Sequence, residues 1–254
     1  MAPPTKKKIL IINPNSTVSM TNSLKPLVDT LGFTETIYTY FTAPTSSPPS
    51  INNDHDAASS ATHCLPALQK SQLLPSHDAF LVACYSQHPL VTLLKQDPHI
   101  AAQRKSVTGI FEASVATCLQ LLLPGERFGI VSTGKVWETI LTEAVASLLG
   151  TVSSTTGAGT RFAGVQTTGL DATELHDTPV EEVRRRMKEA TRRLVSRGDV
   201  GAVCLGCAGM VGMEEMVREA CVEELGEERG GRVRVVDGVK AGVAWLEGAV
   251  RAEY

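Results

Sequence analysis

Short apolar runs alternate along the chain with longer stretches in which apolar positions recur at helical spacing. Lys8–Ile12, Ala79–Ala83, Ser106–Ile110, Arg127–Val131, Arg161–Gln166, Val200–Leu205 and Val233–Val236 are short runs bounded by turn residues, and they read as buried strands. Thr34–Phe41 alternates and is rich in β-formers, so it reads as a further strand. Helical patterns cover Thr17–Leu31, Asp54–Ser71, Pro89–Gln96, Glu112–Leu123, Lys135–Leu149, Pro179–Arg197, Val211–Leu225 and Val239–Val250. Pro26 falls inside the first helix and is expected to kink or shorten it, and Gly32 suits its C-terminal stop. Strands that alternate with helices imply an α/β fold, with parallel sheet covered on both faces.

The pattern also repeats. Lys8–Ile12 with its Asn-Pro-Asn-Ser-Thr turn resembles Arg127–Val131 with Ser132-Thr133-Gly134: a strand, a small-polar turn and a helix. Ile12 precedes Cys84 by 72 residues, and Val131 precedes Cys207 by 76. Each half thus runs from an opening strand to a strand that ends in cysteine. Two pseudo-symmetric α/β halves would bring those strand ends together and set the two thiols face to face. The expected division is residues 1–106 with 226–254 as one domain and residues 107–225 as the other.

Composition narrows the function classes. The 254 residues suffice for a sizeable core, and a formal net charge of −3 gives no reason to expect nucleic acid or an anionic membrane surface. Aromatic residues make up 5% of the chain, too few for base-stacking platforms. The apolar runs fall far short of the roughly 20 residues that span a bilayer. The basic start MAPPTKKK leads into a strand and Asn-Pro-Asn, unlike a signal peptide. The expectation is a cytoplasmic protein, a possible homo-oligomer, that acts on a small molecule. Thr42–Asn53, TAPTSSPPSINN, is either an exposed connection or a flap over a site.

Six cysteines are present, at 64, 84, 118, 204, 207 and 221, without the density of a secreted disulfide scaffold. Cys84 and Cys207 stand apart, because each sits at a strand-to-helix turn where backbone N–H groups converge. Cys207 is followed by Ala208-Gly209, small residues that let backbone approach a ligand, and Cys84 by Tyr85-Ser86-Gln87-His88. Two opposed thiols suit the inversion of a carbon centre: one, as thiolate, removes a proton, and the other returns one to the opposite face. Backbone N–H groups and the side chains of Asn13, Ser132 and Thr133 are candidates to bind the oxygens of the resulting carbanion.

Other readings compete. Cys204-Leu-Gly-Cys207 is formally CxxC, but Cys204 lies within a strand pattern, so it reads as packing, like Cys64, Cys118 and Cys221. There is no second CxxC or His pair at zinc spacing, so no metal is expected. His88 is either an activator of Cys84 or a capping or rim histidine, and the second reading is preferred. Arg184-Arg185-Arg186 among Glu181, Glu182, Lys188 and Glu189 is a solvated helix face. Gly157-Ala158-Gly159 lacks the spacing of a dinucleotide loop.

Several motifs in order resemble one family. ILIINPNST, SPPSINNDHDA, ACYSQHPLV, VTGIFEAS, FGIVST, VCLGCAGM and VVDGVKAGV are similar to segments of the hydantoin racemase branch of the aspartate/glutamate racemase superfamily, which includes allantoin racemases. The resemblance implies a cofactor-independent racemase with two α/β domains and an active site in the cleft between them. It implies a catalytic pair at Cys84 and Cys207. It also implies that Asn13, Tyr85, Ser114, Thr133, Ala208 and Gly209 lie near the substrate, a 5-substituted hydantoin or an allantoin-like compound. Within the same superfamily, a single-cysteine isomerase or decarboxylase is the alternative, and a non-catalytic small-molecule sensor is a third.

Overall fold

The computed structural model describes residues 6–151 and 161–253, so Gly157–Gly159 and the first five residues lie outside the described residues. Eight strands and eleven helices alternate through them. In the first half these are β1 (Lys7–Asn13), α1 (Val18–Asp29), β2 (Thr36–Thr42), α2 (Asp54–Lys70), α3 (Leu73–Ser76), β3 (Ala79–Val82), α4 (Pro89–Gln96), α5 (Pro98–Ala101) and β4 (Ser106–Gly109). There follow α6 (Ile110–Leu121), β5 (Arg127–Ser132), α7 (Trp137–Leu149), β6 (Phe162–Thr167), α8 (Glu174–Asp177), α9 (Val180–Val195), β7 (Val200–Leu205), α10 (Glu214–Gly230), β8 (Arg234–Asp237) and α11 (Gly238–Ala252). The one-turn helices α3, α5 and α8 fall in stretches that the sequence pattern leaves as connections, because four residues are too few to show a helical period.

The strands form two four-stranded sheets, ordered β2-β1-β3-β4 and β6-β5-β7-β8, and every pairing is parallel. The two orders are the same once β5–β8 are matched to β1–β4, so the repeat is one of topology. The central strands are apolar throughout because helices cover both faces. Ile9–Ile12 and Phe80–Val82 are fully buried, as are Ala202–Cys204.

The chain divides into two bodies, one running to Ile110 and resuming at Val239, the other spanning Phe111–Gly238. Residues 226–237 were expected with the first half. They belong to the second, because β8 pairs with β7 (Val203 opposite Val235) and closes the second sheet. The helix after each sheet's last strand is counted with the other body: α6 with the second, α11 with the first. α11 is fastened there by Glu247, a buried carboxylate that accepts hydrogen bonds from Thr36 Oγ1 at 3.1 Å and from the Tyr38 hydroxyl and pairs with Arg251. Gly242 lies so close to β3 that a Cβ there would fall 2.4 Å from Leu81 Cδ1.

Local signals explain several helix ends. Asn53 caps α2 by accepting from Asp56 N at 2.9 Å, Asp54 and Asp56 sit in its first turn, and Lys70 in its last. α1 continues through Pro26 to Asp29. α10 breaks at Gly226, where φ is +79°, one residue past the expected stop at Leu225. The Arg184–Arg186 stretch of α9 is bound to Glu182, Glu189 and Glu219, as a solvated face would be. No helix among the described residues is long and apolar enough to cross a membrane.

Candidate active site: two thiols at equivalent strand ends

Each thiol follows the residue that makes the last bond of a parallel ladder. In the first body, Ala83 N donates to Ile12 O at 2.8 Å, and Cys84 comes next. In the second, Gly206 N donates to Val131 O at 2.7 Å, and Cys207 comes next. The partner strand ends one residue later in both, at Asn13 in β1 and Ser132 in β5. Cys84 and Cys207 are thus equivalent positions of a duplicated unit, at the carboxyl edge where open α/β sheets place their ligands. Both are half-buried, whereas Cys64, Cys118, Cys204 and Cys221 are fully buried.

The two turns are built differently. After Cys207 a single 3-10 turn, Ala208–Met210, brings Gly209 N to 3.3 Å from Cys207 Sγ. Burial pushes the Cys207 pKa up to about 11, and the Gly209 N–H pulls against that shift. The resting group at neutral pH is therefore the thiol, with one amide already placed to stabilise a thiolate. Ser132 Oγ donates to Gly206 O at 2.8 Å and ties the end of β5 to this turn. Gly206 itself admits no side chain: a Cβ would lie 2.7 Å from Ile130 Cγ2, 2.8 Å from Val131 O and 2.9 Å from Ser132 Cβ.

After Cys84 the neighbours are side chains. Ser86, buried, places its Oγ 3.6 Å from Cys84 Sγ. His88, 2% exposed, caps α4: its Nδ1 accepts from Leu90 N at 3.2 Å. Burial lowers its pKa to about 4, so the ring is neutral. Tyr85 is buried beside Cys84, and Gln87 is exposed.

The remaining candidates divide by what already holds them. Asn13 is buried at the end of β1, and its Nδ2 faces Asn15 Oδ1 (2.9 Å), Thr21 Oγ1 (3.0 Å) and Thr17 O (3.2 Å), while its Oδ1 accepts from Asn15 N. Those bonds shape the β1–α1 turn. Thr133 is buried at the end of β5, and its carbonyl accepts from Gly169 N at 3.0 Å. Ser114 is buried in the first turns of α6, where its Oγ donates to Phe111 O at 3.0 Å. Ala208 and Gly209 belong to the turn that holds Cys207.

The Pro/Ser-rich segment after β2 is docked on the β1–α1 turn. Ser16 N donates to Pro48 O at 3.0 Å and Thr17 Oγ1 to Pro49 O at 2.7 Å, with Ser47, Ser50 and Ile51 buried. The formal CxxC is not the thiol pair that the core assembles: Cys204 Sγ lies 3.2 Å from Cys118 Sγ, and that contact together with burial raises the Cys118 pKa. Among the described residues, no group of three or more His, Cys, Asp or Glu side chains is placed to hold a metal.

A duplicated parallel α/β fold with a cysteine at the matching strand end of each half fits an isomerase of the racemase type. The comparisons agree: the chain belongs to the Asp/Glu/Hydantoin racemase family, whose sequence model matches residues 9–246. It is 36% identical over 244 residues to an uncharacterised protein of Schizosaccharomyces pombe, covering 96% of this chain and 92% of the other. It is 28% identical over 244 residues to the hydantoin racemase of Pseudomonas sp. (strain NS671), covering 94% and 84%. Among solved structures, the allantoin racemase of Pseudomonas fluorescens aligns with a TM-score of 0.73 at 25% identity, covering 97% of this chain and 92% of that one.

Proposed function

We propose that this enzyme inverts the acidic C–H centre of 5-substituted hydantoins or an allantoin-like ureide, with Cys84 and Cys207 acting on one ligand from opposite faces. The observation that carries the reading is the equivalence of the two thiols in the duplicated ladder. The named activities of the hydantoin and allantoin racemases that the chain is similar to support the substrate class.

In one direction a Cys84 thiolate takes the proton from the ring carbon. The carbanion is delocalised into the adjacent carbonyl, and the Cys207 thiol delivers its proton to the other face. The resulting Cys207 thiolate is stabilised by Gly209 N–H. In the other direction the roles exchange. Tyr85, Ser114, Thr133, Ala208 and Gly209 frame the ligand in this reading, and Asn13 fixes the turn on which it rests. The chemistry routes no electron or group through a cofactor.

The test is solvent deuterium incorporation at the stereocentre over a panel of 5-substituted hydantoins and allantoin. Cys84→Ser and Cys207→Ser are each expected to lose racemisation by at least about 10²–10⁴-fold, the usual worth of a positioned acid or base. Each variant can still exchange the proton of a single enantiomer. Full racemisation by either variant rules out the two-base mechanism, and a covalent adduct on one cysteine with the other dispensable points to the single-cysteine isomerase instead.

A further inference from the structure

His88 carries a buried donor for which the described residues supply no acceptor. Its Nδ1 is taken up by the Leu90 N–H, so the ring is the tautomer with hydrogen on Nε2. That Nε2 has no hydrogen-bond partner among the described residues, although the residue is only 2% exposed. Buried N–H groups are rarely left unmade, because the cost of stripping their water is not returned. The two ring nitrogens flank Cε1 and their bonds diverge, so with Nδ1 engaged by the first turn of α4 the Nε2–H is left free of that helix end. His88 lies four residues past Cys84, in the same turn from β3 into α4 at the carboxyl edge of the sheet.

A second orphan lies at the same edge. Ser47, 4% exposed, has no partner for its Oγ among the described residues. It sits in the segment that the Ser16 and Thr17 bonds hold over the end of β1. The segments that follow β1, β2 and β3 at this edge, residues 13–17, 43–53 and 83–88, contain no lysine or arginine, and the segment after β4, residues 110–114, adds only the acidic Glu112. The edge thus carries no cation, which matches an uncharged carbonyl and not a carboxylate.

We propose that His88 is a substrate-binding residue whose Nε2–H donates to a carbonyl oxygen of the ring held beside Cys84. The assignment rests on the racemase reading above. It gives His88 two separable tasks, with Nδ1 capping α4 and Nε2 holding the ligand.

Substitution separates them. His88→Asn keeps a side-chain acceptor for the Leu90 N–H but removes the donor at the Nε2 position. His88→Gln restores an N–H at that reach and gives up the cap geometry. With a hydantoin that the wild type racemises, His88→Asn is expected to raise KM about tenfold or more with kcat and Tm little changed. His88→Gln is expected to recover much of the KM while lowering Tm. A folded His88→Asn variant with wild-type KM overturns the proposal and leaves the racemase reading intact. Should the variant fail to fold, the wild-type protein answers the question: in histidine-labelled enzyme, racemic 5-benzylhydantoin at equilibrium is expected to move the Nε2–H proton resonance downfield, and an unmoved resonance at saturation overturns the proposal. If the wild type racemises neither hydantoins nor allantoin, the racemase reading fails, and this assignment fails with it.

Discussion

The two halves present the same atom by different means. In the second, Cys207 is set by backbone: a glycine packed against β5, a 3-10 turn, and an amide aimed at the sulfur. In the first, the position before Cys84 is Ala83, which carries its Cβ without difficulty, a side chain, Ser86, places its Oγ near the thiol, and His88 caps the helix that follows. Backbone geometry tolerates little change, whereas side chains can be exchanged without moving the strand. In the proposed reaction the Cys207 turn is therefore the less adaptable of the two.

The largest expected difference concerns reactivity. With its pKa near 11, Cys207 holds roughly 10⁻⁴ of its population as thiolate at pH 7. Its alkylation by iodoacetamide in the ligand-free protein should rise about tenfold per pH unit up to about 11, because a raised pKa keeps the thiol protonated below that value. Site-resolved mass spectrometry in a Cys84→Ser background measures this rate. A plateau near pH 9, the ordinary thiol value, would remove the difference that burial makes.

Next come the residues before the thiols. Gly206→Ala forces a methyl against Ile130, the Val131 carbonyl and Ser132, and should cost about 1–3 kcal/mol in urea unfolding together with most of the activity. The equivalent change in the first half, Ala83→Gly, should cost only about 0.5–1 kcal/mol through backbone entropy and leave kcat nearly intact. Equal effects at the two positions would erase the contrast. Ser132→Ala removes the bond to the Gly206 carbonyl and should fall between them on activity, at about 1 kcal/mol of stability. If Ser132→Ala leaves both unchanged, the tie between β5 and the Cys207 turn is incidental.

Much of this was legible in the chain. Its alternation of short apolar runs and helical stretches contained the two parallel sheets, and the spacing of two cysteines from two opening strands contained the repeat. These are local signals, because a strand buried on both faces must be apolar along its length, and a turn must carry turn residues. The alternative for Cys204 was also decidable in kind, since a cysteine inside such a strand has to be core.

What the chain could not show depended on partners distant in sequence. β8 was placed with the wrong half because four residues of strand say nothing about which neighbour they pair with; only the ladder to β7 settled it. The partners of the Asn13 amide, Asn15, Thr17 and Thr21, were likewise not readable from its place at the end of a strand. His88 could be suspected as a cap, but a cap with one nitrogen left over is visible only once every acceptor around it is known. The sequence by itself determined the elements, the duplication and the two cysteines, since each is encoded within a few residues. Tertiary structure alone decided the pairing at the sheet's edge, the burial that raises the Cys207 pKa, and which polar groups remain for a ligand, because each is a sum over atoms that the chain brings together only on folding.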